Sequence, residues 1–288
     1  MSHIKIESNN EMHLQNDIEA LLQGKLVDNW QWIASSPNTK VAYNSDKNIY
    51  FKEFLPRNRL EHIKSFFRGS RSSRATKIAG ILNKLYFSTP KVILQRHAKG
   101  GREYMITEAV NGAGVASYMA SFLRNSNDKN SIRWKRVIIS SLGKEIGRLH
   151  RENIIHGDLR PNNILIELDS NPPKFHFIDN ERTRHWPFSP PVKLIKKNLH
   201  QIGMLFPIDL TITDRLRFWR AYCSQYSRFS PYNNKDNYKF AAEVMHKTLY
   251  RLKTTPHYSP RKPDLPESLL KDGHIIPKPL INSTHSLR

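Results

Sequence analysis

Residues 154–181, IIHGDLRPNNILIELDSNPPKFHFIDNE, place polar side chains at the ends of two apolar runs. Asp158 lies five residues before Asn163, and Asp179 follows the second apolar run. Phosphoryl transfer needs a carboxylate that orients the attacking hydroxyl and hard oxygen ligands that hold Mg²⁺ against the phosphates. Asp158 is therefore a candidate base, and Asn163 and Asp179 are candidate metal ligands.

The same chemistry needs a lysine close to the nucleotide phosphates, and Lys52 is the candidate. It stands in IYFKEF, where apolar residues such as Ile49 and Phe51 surround a single lysine. A lysine in such a strand has a second interpretation, because its stem can cover apolar surface while its ammonium group reaches water. From the strand alone, both interpretations stay open.

The elements that would position these groups fall into two regions. Between 32 and 110, alternating apolar residues predict four strands around a helical insertion at 58–85; the strands are TKVAY, NIYFKEFL, KVILQRH and REYMITEAV. A short helix is predicted at 13–23. From about 114 the pattern is mostly helical, with helices predicted at 114–125, 132–151, 192–206, 213–228 and 238–252.

The charge of the chain points to a polyanionic partner. Its 288 residues include 46 Lys and Arg but only 25 Asp and Glu, which gives a net charge of +21. Basic residues recur at helical spacing in one zone, predicting a positive band: Arg57, Arg59, Lys64, Arg68, Arg71, Arg74 and Lys77. Such a surface favours nucleic acid, anionic lipid or a phosphorylated glycolipid, and no groove-reading motif supports nucleic acid.

The expected location is the cytoplasm, with peripheral binding to an anionic membrane surface. The first residues lack the apolar core of a signal peptide, and no run approaches the roughly 20 apolar residues of a membrane span. A single cysteine, Cys223, excludes an intrachain disulfide. A few basic residues near an anionic membrane suffice for peripheral attachment, since each contributes about 1 kcal/mol.

The motif HGDLRPNNIL resembles the kinase catalytic loop H-R-D-L-x-x-x-N, with Gly157 in place of arginine, and FIDNE resembles the D-F-G metal segment. Glycine at this position is typical of kinase-like phosphotransferases for sugars, choline and aminoglycosides. Across 49–222 the chain is similar to the lipopolysaccharide kinases, which phosphorylate Kdo or heptose in the inner core. The most distinctive segment is FRGSRSSRA, followed by a helix and TP.

This resemblance implies an α+β, bilobal protein-kinase-like fold, with a small strand-rich N-lobe and a larger helical C-lobe. The implied limits are an N-terminal helical segment at 1–30, the N-lobe at 31–110, the C-lobe at 111–253 and a proline-rich basic tail at 254–288. It also implies ATP and Mg²⁺ as cofactors.

The resemblance carries roles to individual residues. Lys52 becomes the phosphate-anchoring lysine, and Glu108 falls at the hinge beside adenine, where the contact comes through backbone. Arg160 stands where it would steady the transferred phosphoryl group, and His156 is scaffold. Glu181, two residues after Asp179, is either a second metal ligand or a solvated or salt-bridged loop residue.

The sequence departs from the kinase pattern in three places. Residues 33–48 contain no glycine, so the backbone of SSPNT at 35–39 is the candidate cover for the phosphates. The helix position that usually holds the glutamate partner of Lys52 holds Ile78, and Glu61 is a possible substitute. The glycine of D-F-G is replaced by Glu181.

Three functions remain in view. The first is an ATP-dependent kinase that phosphorylates a Kdo or heptose hydroxyl of the lipopolysaccharide inner core or its lipid A precursor, at the inner membrane. The second is a small-molecule phosphotransferase of the aminoglycoside or choline kinase type, which the basic charge disfavours. The third is a pseudokinase that binds a polyanion, favoured by the missing glycine loop and opposed by the intact set of polar residues.

Overall fold

A computed structural model describes residues 8–56, 69–98, 102–123, 128–167, 170–205, 209–229 and 235–254. The chain forms two compact units, one from Met1–Lys84 with Thr89–Ala109 and the other from Leu85–Ser88 with Val110–Arg288. Strands dominate the first unit and helices the second, as expected for an α+β kinase-like chain. Glu61, most of the predicted basic band and the tail from 255 lie outside the described residues.

The first unit is built on a five-stranded antiparallel sheet with strand order β1-β2-β3-β5-β4. All four predicted strands are confirmed, and a strand that the sequence analysis missed, β1, pairs with β2 through Trp30 and Asn44. The strands are β1 Trp30–Ile33, β2 Thr39–Asn44, β3 Ile49–Phe54, β4 Val92–His97 and β5 Glu103–Glu108.

Helix α1, Ser8–Leu22, packs against this sheet. Ile18 and Leu21 are buried in one cluster with Trp30 of β1 and Phe51 of β3. The indole Nε1–H of Trp30 also donates to Asp17 at 3.1 Å. The N-terminal helix is therefore part of the core of the first unit.

Helix α2, Arg71–Lys84, is capped by a carboxylate from the neighbouring strand β5. Glu103 accepts the backbone N–H groups of Arg71 at 3.1 Å and Ser72 at 2.9 Å, and the Ser72 hydroxyl at 2.7 Å. Burial opposes the charge of Glu103, but these hydrogen bonds and one from Ser70 lower its pKa. An anion at the helix N-terminus satisfies amides that have no partner within the helix.

Arg71 does not belong to a surface band, contrary to the prediction. Its side chain is buried, lies over the ring of Phe54 and donates to the carbonyl groups of Asn38 and Leu55, both at 3.0 Å. Helical spacing alone could not distinguish it from Arg74 and Lys77 on the same helix, because the two acceptor carbonyls lie in loops remote in sequence.

The second unit contains five α-helices within its described residues, and two small sheets. Strands β6, β8 and β9 form one sheet and β7 with β10 the other. The helices are α3 Val115–Tyr118, α4 Lys129–Arg151, α5 Val192–Ile202, α6 Ile212–Gln225 and α7 Lys235–Thr254. The strands are β6 Gly112–Gly114, β7 Ile154–Ile155, β8 Ile164–Glu167, β9 Phe175–Phe177 and β10 Arg184–His185.

Three predicted helices differ from the structure. The helix predicted at 114–125 is one α-helical turn continued by a π-helical turn, Met119–Leu123. Helix α6 stops at Gln225, before the bend at Tyr226, instead of running to 228. Helix α5 ends at Ile202 rather than 206, and beyond its end the guanidinium group of Arg215 donates to the carbonyl groups of Gly203 at 2.8 Å and Leu205 at 2.7 Å.

Helices α4 and α6 approach each other closely along a face that carries two glycines. A Cβ atom on Gly143 would lie 2.5 Å from the carbonyl oxygen of Phe218, and one on Gly147 would lie 2.5 Å from that of Tyr222. Larger residues would push the helices apart. This contact fixes α4, whose C-terminal end leads into β7 and the catalytic loop.

Candidate active site

The predicted base and metal ligands lie on one loop system in the second unit. Strand β7 precedes Asp158 and pairs with β10, where Ile155 lies opposite Arg184. Strand β8 follows Asn163 and pairs with β9, which ends just before Ile178. The backbone N–H of Ile178 donates to the carbonyl of Asn163 at 3.0 Å. The structure therefore brings Asn163 and Asp179 to the same end of the β8–β9 pair.

Asp158 is held on one side of its carboxylate. Its Oδ1 atom accepts from Nε2 of Gln201 at 3.1 Å and pairs with Nε of Arg160 at 2.9 Å. Among the described residues nothing is bound to its Oδ2 atom, and its side chain is 26% exposed. The carboxylate is thus oriented through one oxygen, and its other oxygen has no partner among the described residues.

Asn163 is oriented by its amide nitrogen. Its Nδ2–H donates to the backbone carbonyl of Asp158 at 2.8 Å, which directs the side-chain oxygen elsewhere. Arg160 precedes it in the loop, and the side chain of that arginine is 61% exposed while it pairs with Asp158. The predicted contact of Arg160 with a transferred phosphoryl group stays a prediction, because the structure gives it a carboxylate partner instead.

His156 connects the loop of Asp158 to the segment that leads into Asp179. Its Nδ1 atom accepts the backbone N–H of Asp158 at 3.1 Å, so its Nε2 carries the proton that is donated to the Ile178 carbonyl at 3.0 Å. Burial lowers the pKa of His156, against the opposing effects of the Ile178 hydrogen bond and the charges of Asp179 and Asp158. A neutral imidazole is the form this network requires, and the scaffold role predicted for His156 fits it.

Two residues of α5 that were not singled out from the sequence hold this loop. Asn198 accepts the backbone N–H of His156 at 3.1 Å and donates to its carbonyl oxygen at 2.6 Å. Gln201, one turn later, accepts the backbone N–H of Leu159 at 3.3 Å while it donates to Asp158. In the sequence, the only sign of this role is that two polar residues stand three positions apart, away from the polar face of α5. Their partners are visible only in the tertiary contacts.

Asp179 adopts a left-handed backbone conformation, with φ of 60° and ψ of 41°. Aspartate and asparagine tolerate this region better than most residues other than glycine. A short 3-10 helix, Asn180–Arg182, follows, and Nδ2–H of Asn180 donates to the carbonyl of Phe177 at 2.9 Å. Glu181 in this helix is buried, so the solvated interpretation was wrong, and its role as a second metal ligand stays a prediction.

Gly157 is required by the close approach of Arg182 to the loop of Asp158. A Cβ atom at this position would lie 2.5 Å from both the carbonyl carbon and the carbonyl oxygen of Arg182, and closer still to its Cβ atom. The glycine that distinguishes this loop from H-R-D therefore has a packing cause: residue 182 occupies the space that a side chain would need.

We expect Gly157→Ala to lower the free energy of unfolding by about 1 to 3 kcal/mol, the usual cost of overpacking. The clashing atoms are backbone and cannot rotate away, so kcat should fall as well. Urea unfolding measures the first effect. Gly80→Ala is the matched control, because Gly80 is an exposed position of helix α2 and nothing lies within 4 Å of its added methyl group; alanine there should stabilise by about 0.5 to 1 kcal/mol. Equal unfolding curves for wild type and Gly157→Ala would contradict the packing argument.

A buried chain of hydrogen bonds connects three helices behind the loop. Nδ1 of His150 lies 2.9 Å from the hydroxyl of Tyr222, and its Nε2 lies 3.3 Å from Oδ1 of Asn198. Asn198 in turn holds His156. Burial lowers the pKa of His150 to about 4, and the hydrogen bond to Asn198 opposes this only in part.

This pKa makes the fold sensitive to acid. The folded pKa of His150 lies below the 6.5 of an exposed histidine, so the unfolded chain binds the proton first as the pH falls. The contribution of His150 to the free energy of unfolding, about 3 kcal/mol, is fully present above pH 6.5 and is lost as the pH falls from 6.5 to about 4. Urea unfolding at pH 7.5 and 4.5 measures the change; His156 and His200, whose pKa values are also lowered, act in the same direction.

The variant His150→Gln isolates the share of His150, since glutamine keeps one donor and one acceptor but does not titrate in this range. We expect its loss of unfolding free energy between the two pH values to be smaller than that of wild type. The same loss in both proteins would mean that the histidine is not held neutral in the fold.

Lys52 and Glu108 lie in the first unit. Lys52 sits in the middle of β3, between Val41 of β2 and Met105 of β5, and its ammonium group lies 5.2 Å from the ring centre of Phe54. Glu108 ends β5. Its backbone N–H donates to the carbonyl oxygen of Lys91 at 2.9 Å, and its carboxylate pairs with the ammonium group of Lys91 at 3.0 Å.

The described residues contain no group of three His, Cys, Asp or Glu side chains that could hold a metal ion by themselves. They also contain no helix long and apolar enough to cross a membrane. Mg²⁺ bound through two protein oxygens and substrate phosphates needs no such group.

Comparisons with known proteins bear on the fold and the family of the chain. One solved structure, described as WaaP in complex with acyl carrier protein, matches 86% of this chain and 99% of its own, with a TM-score of 0.56 and 16% identity. That likeness shows the fold, which is α+β and protein-kinase-like. A curated relative, the EKC/KEOPS complex subunit BUD32 of Debaryomyces hansenii, is 28% identical over 139 residues, which are 46% of this chain. The chain spans about half, 53%, of the length of that relative.

The model of the lipopolysaccharide kinase (Kdo/WaaP) family matches residues 36–222, more than half of the chain. The matched range contains both strand β3 with its lysine and the whole catalytic stretch. By this match the chain belongs to the lipopolysaccharide kinase (Kdo/WaaP) family, a family of phosphotransferases.

Proposed function

We propose that the protein is an ATP-dependent kinase that transfers the γ-phosphoryl group to a sugar hydroxyl, Kdo or heptose, of the lipopolysaccharide inner core or its lipid A precursor. The observation that carries the proposal is the arrangement around Asp158. One oxygen of this carboxylate is held by Gln201 and Arg160, and the loop that contains it is tied to the segment of Asp179 through His156.

In this proposal Asp158 is the base. With Oδ1 fixed, Oδ2 receives the proton of the attacking hydroxyl as the oxygen–phosphorus bond forms and the bond to ADP breaks. Arg160, exposed beside the carboxylate, supplies positive charge for the phosphoryl group in transfer.

The donor set fits Mg²⁺. Asn163 offers an amide oxygen whose nitrogen is already fixed to Asp158, and Asp179 offers a carboxylate at the same end of the β8–β9 pair. When bound, Mg²⁺ supplies neutralisation of the phosphate charge. Glu181 is a candidate second ligand, buried two residues after Asp179.

We also propose that the two compact units are the two kinase lobes, with the N-lobe at 31–110 preceded by a helical segment, and the C-lobe at 111–253. Lys52 on the central strand would bind the α- and β-phosphates. Glu108 would meet adenine through its carbonyl oxygen, since its N–H and carboxylate are both occupied by Lys91. The turn between β1 and β2, held by Ser36 and Thr39, would cover the phosphates.

The acceptor class is supported by family membership and by a net charge of +21. A basic protein suits an anionic glycolipid in an anionic bilayer, and we place the protein peripherally on the cytoplasmic side of the inner membrane. The small-molecule alternative, an aminoglycoside or choline kinase, has a cationic acceptor that this charge would repel.

The decisive experiment incubates purified protein with ATP, Mg²⁺ and a Kdo- or heptose-containing lipid A precursor, and weighs the glycolipid by mass spectrometry. A gain of one phosphate supports the proposal. Phosphorylation of an aminoglycoside or choline, but not of the glycolipid, would favour the small-molecule kinase. No thermal shift with millimolar ATP and Mg²⁺, together with no transfer, would favour a polyanion-binding pseudokinase.

A further inference from the structure

A run of basic residues follows the metal segment directly. Residues 182–197 contain five lysines and arginines and no Asp or Glu; the next acidic residue after Glu181 is Asp209. Lys196 pairs with Glu243 on α7. The other four are exposed: Arg182, Arg184, Lys193 and Lys197.

Arg182 and Arg184 lie against the loop that carries Asp158. The Cβ atom and backbone of Arg182 fill the space above Gly157, the residue directly before Asp158. Arg184 lies opposite Ile155, three residues before Asp158, in the β7–β10 pair. The side chains of Arg182 and Arg184 therefore extend from backbone that lies against the loop of the candidate base.

Neither of these arginines is paired with a carboxylate of the described residues, whereas Arg160 on the same loop is paired with Asp158. Arg182 and Arg184 are thus exposed guanidinium groups without a carboxylate partner among the described residues, on a segment that lies against the loop of Asp158. Guanidinium groups match carboxylate and phosphate oxygens in charge and in fork geometry. An acceptor that itself carries an anion would supply the partner that these two side chains lack.

We infer that Arg182 and Arg184 form a subsite for an anionic group of the acceptor, a carboxylate or a phosphate, and so determine its specificity. This inference rests on the proposed function and deepens it. The acceptor hydroxyl would lie at Oδ2 of Asp158 while an acidic group of the same molecule binds the two arginines. A neutral sugar with the same hydroxyl would lack this second contact.

The test is the double variant Arg182→Gln, Arg184→Gln, assayed with a Kdo-containing lipid A precursor. We expect the KM for the acceptor to rise about tenfold or more, as for loss of charge-assisted hydrogen bonds, while kcat and the KM for ATP change less than about twofold. Both side chains are exposed, and an unchanged thermal unfolding temperature verifies folding. The matched control is Arg133→Gln, Arg136→Gln on the exposed face of α4, which removes the same charge elsewhere.

Two modified acceptors identify the source of the anion. One has its Kdo carboxyl groups reduced to alcohols, and the other has its lipid A phosphates removed. For wild type, only the acceptor that lacks the recognised anion should show the higher KM, and the double variant should not distinguish that acceptor from the parent. The variant Arg182→Lys, Arg184→Lys should recover part of the affinity, because it restores the positive charge without the forked geometry of the guanidinium groups.

Direct binding separates this inference from the proposed function. In protein labelled with ¹⁵N at arginine Nε, the signals of Arg182 and Arg184 should shift when the glycolipid is added in neutral detergent micelles. Absence of transfer with such shifts present would reject the proposed function and keep the subsite. Unshifted signals would overturn the subsite. So would an acceptor KM that falls in the double variant, or one that rises equally in the double variant and in the α4 control.

Discussion

Asp158→Asn is expected to lower kcat by about 10² to 10⁴, the usual contribution of a positioned base. Asparagine has nearly the same shape and can still accept the hydrogen bond that Gln201 now donates to Oδ1 at 3.1 Å. The loop should therefore keep its conformation while the group that takes the proton is lost. Initial rates with the glycolipid acceptor, at saturating ATP and Mg²⁺, measure the effect.

Two further measurements restrict the explanation to chemistry. The thermal shift produced by ATP with Mg²⁺ should stay close to that of wild type, since the candidate ligands Asn163 and Asp179 are unchanged. Asp46→Asn, in the exposed turn between β2 and β3, is the matched control and should have wild-type kcat. Turnover of Asp158→Asn within a few-fold of wild type would reject the assignment of the base.

The catalytic stretch could be predicted from the sequence because its parts are local. Asp158, Asn163 and Asp179 lie within a short span, and each stands at the end of an apolar run that predicts a strand. The strands β8 and β9 were predicted for the same reason, and their pairing places Asn163 next to Ile178. Short-range patterns of this kind indicate both the polar residues of the candidate site and the strands that position them.

The supports of this stretch could not be predicted, because they depend on contacts between distant segments. Gln201 lies 43 residues from Asp158, and the bond between them exists only because α5 packs behind the loop. The cap of α2 by Glu103 and the burial of Arg71 are of the same kind. A helical pattern shows which face is apolar, but not which polar side chain of the helix finds a partner in a distant segment.

Gly157 is a residue at which a local sequence motif and a contact between distant segments combine. In the sequence it was a departure from the kinase motif that pointed to phosphotransferases of small molecules and sugars. In the structure it is the residue that lets Arg182 approach the loop. The departure and the proposed anion subsite thus have one physical origin, the close passage of the segment after Asp179 across the residue before Asp158.

Asp179→Asn is the second variant from which we expect a large effect. Asp179 holds a left-handed conformation, with φ of 60°, that asparagine tolerates about as well. The substitution therefore removes the charge that would bind Mg²⁺ while keeping the size of the side chain and the backbone conformation. We expect kcat/KM for ATP to fall by about 10² or more, comparable with loss of one preorganised electrostatic contact to the reacting group, and the Mg²⁺ concentration for half-maximal activity to rise.

The companion variant Asp179→Gly separates a structural role from a metal role. Glycine removes the carboxylate and adopts the left-handed conformation without the cost of about 1 to 2 kcal/mol that a side chain meets there, while its greater freedom in the unfolded chain costs about 0.5 to 1 kcal/mol. The free energy of unfolding should hence stay within about 1 kcal/mol of wild type, although activity is lost as in Asp179→Asn. An inactive glycine variant that is also strongly destabilised would instead show that the carboxylate holds the fold, and an active one would remove Asp179 from the metal site.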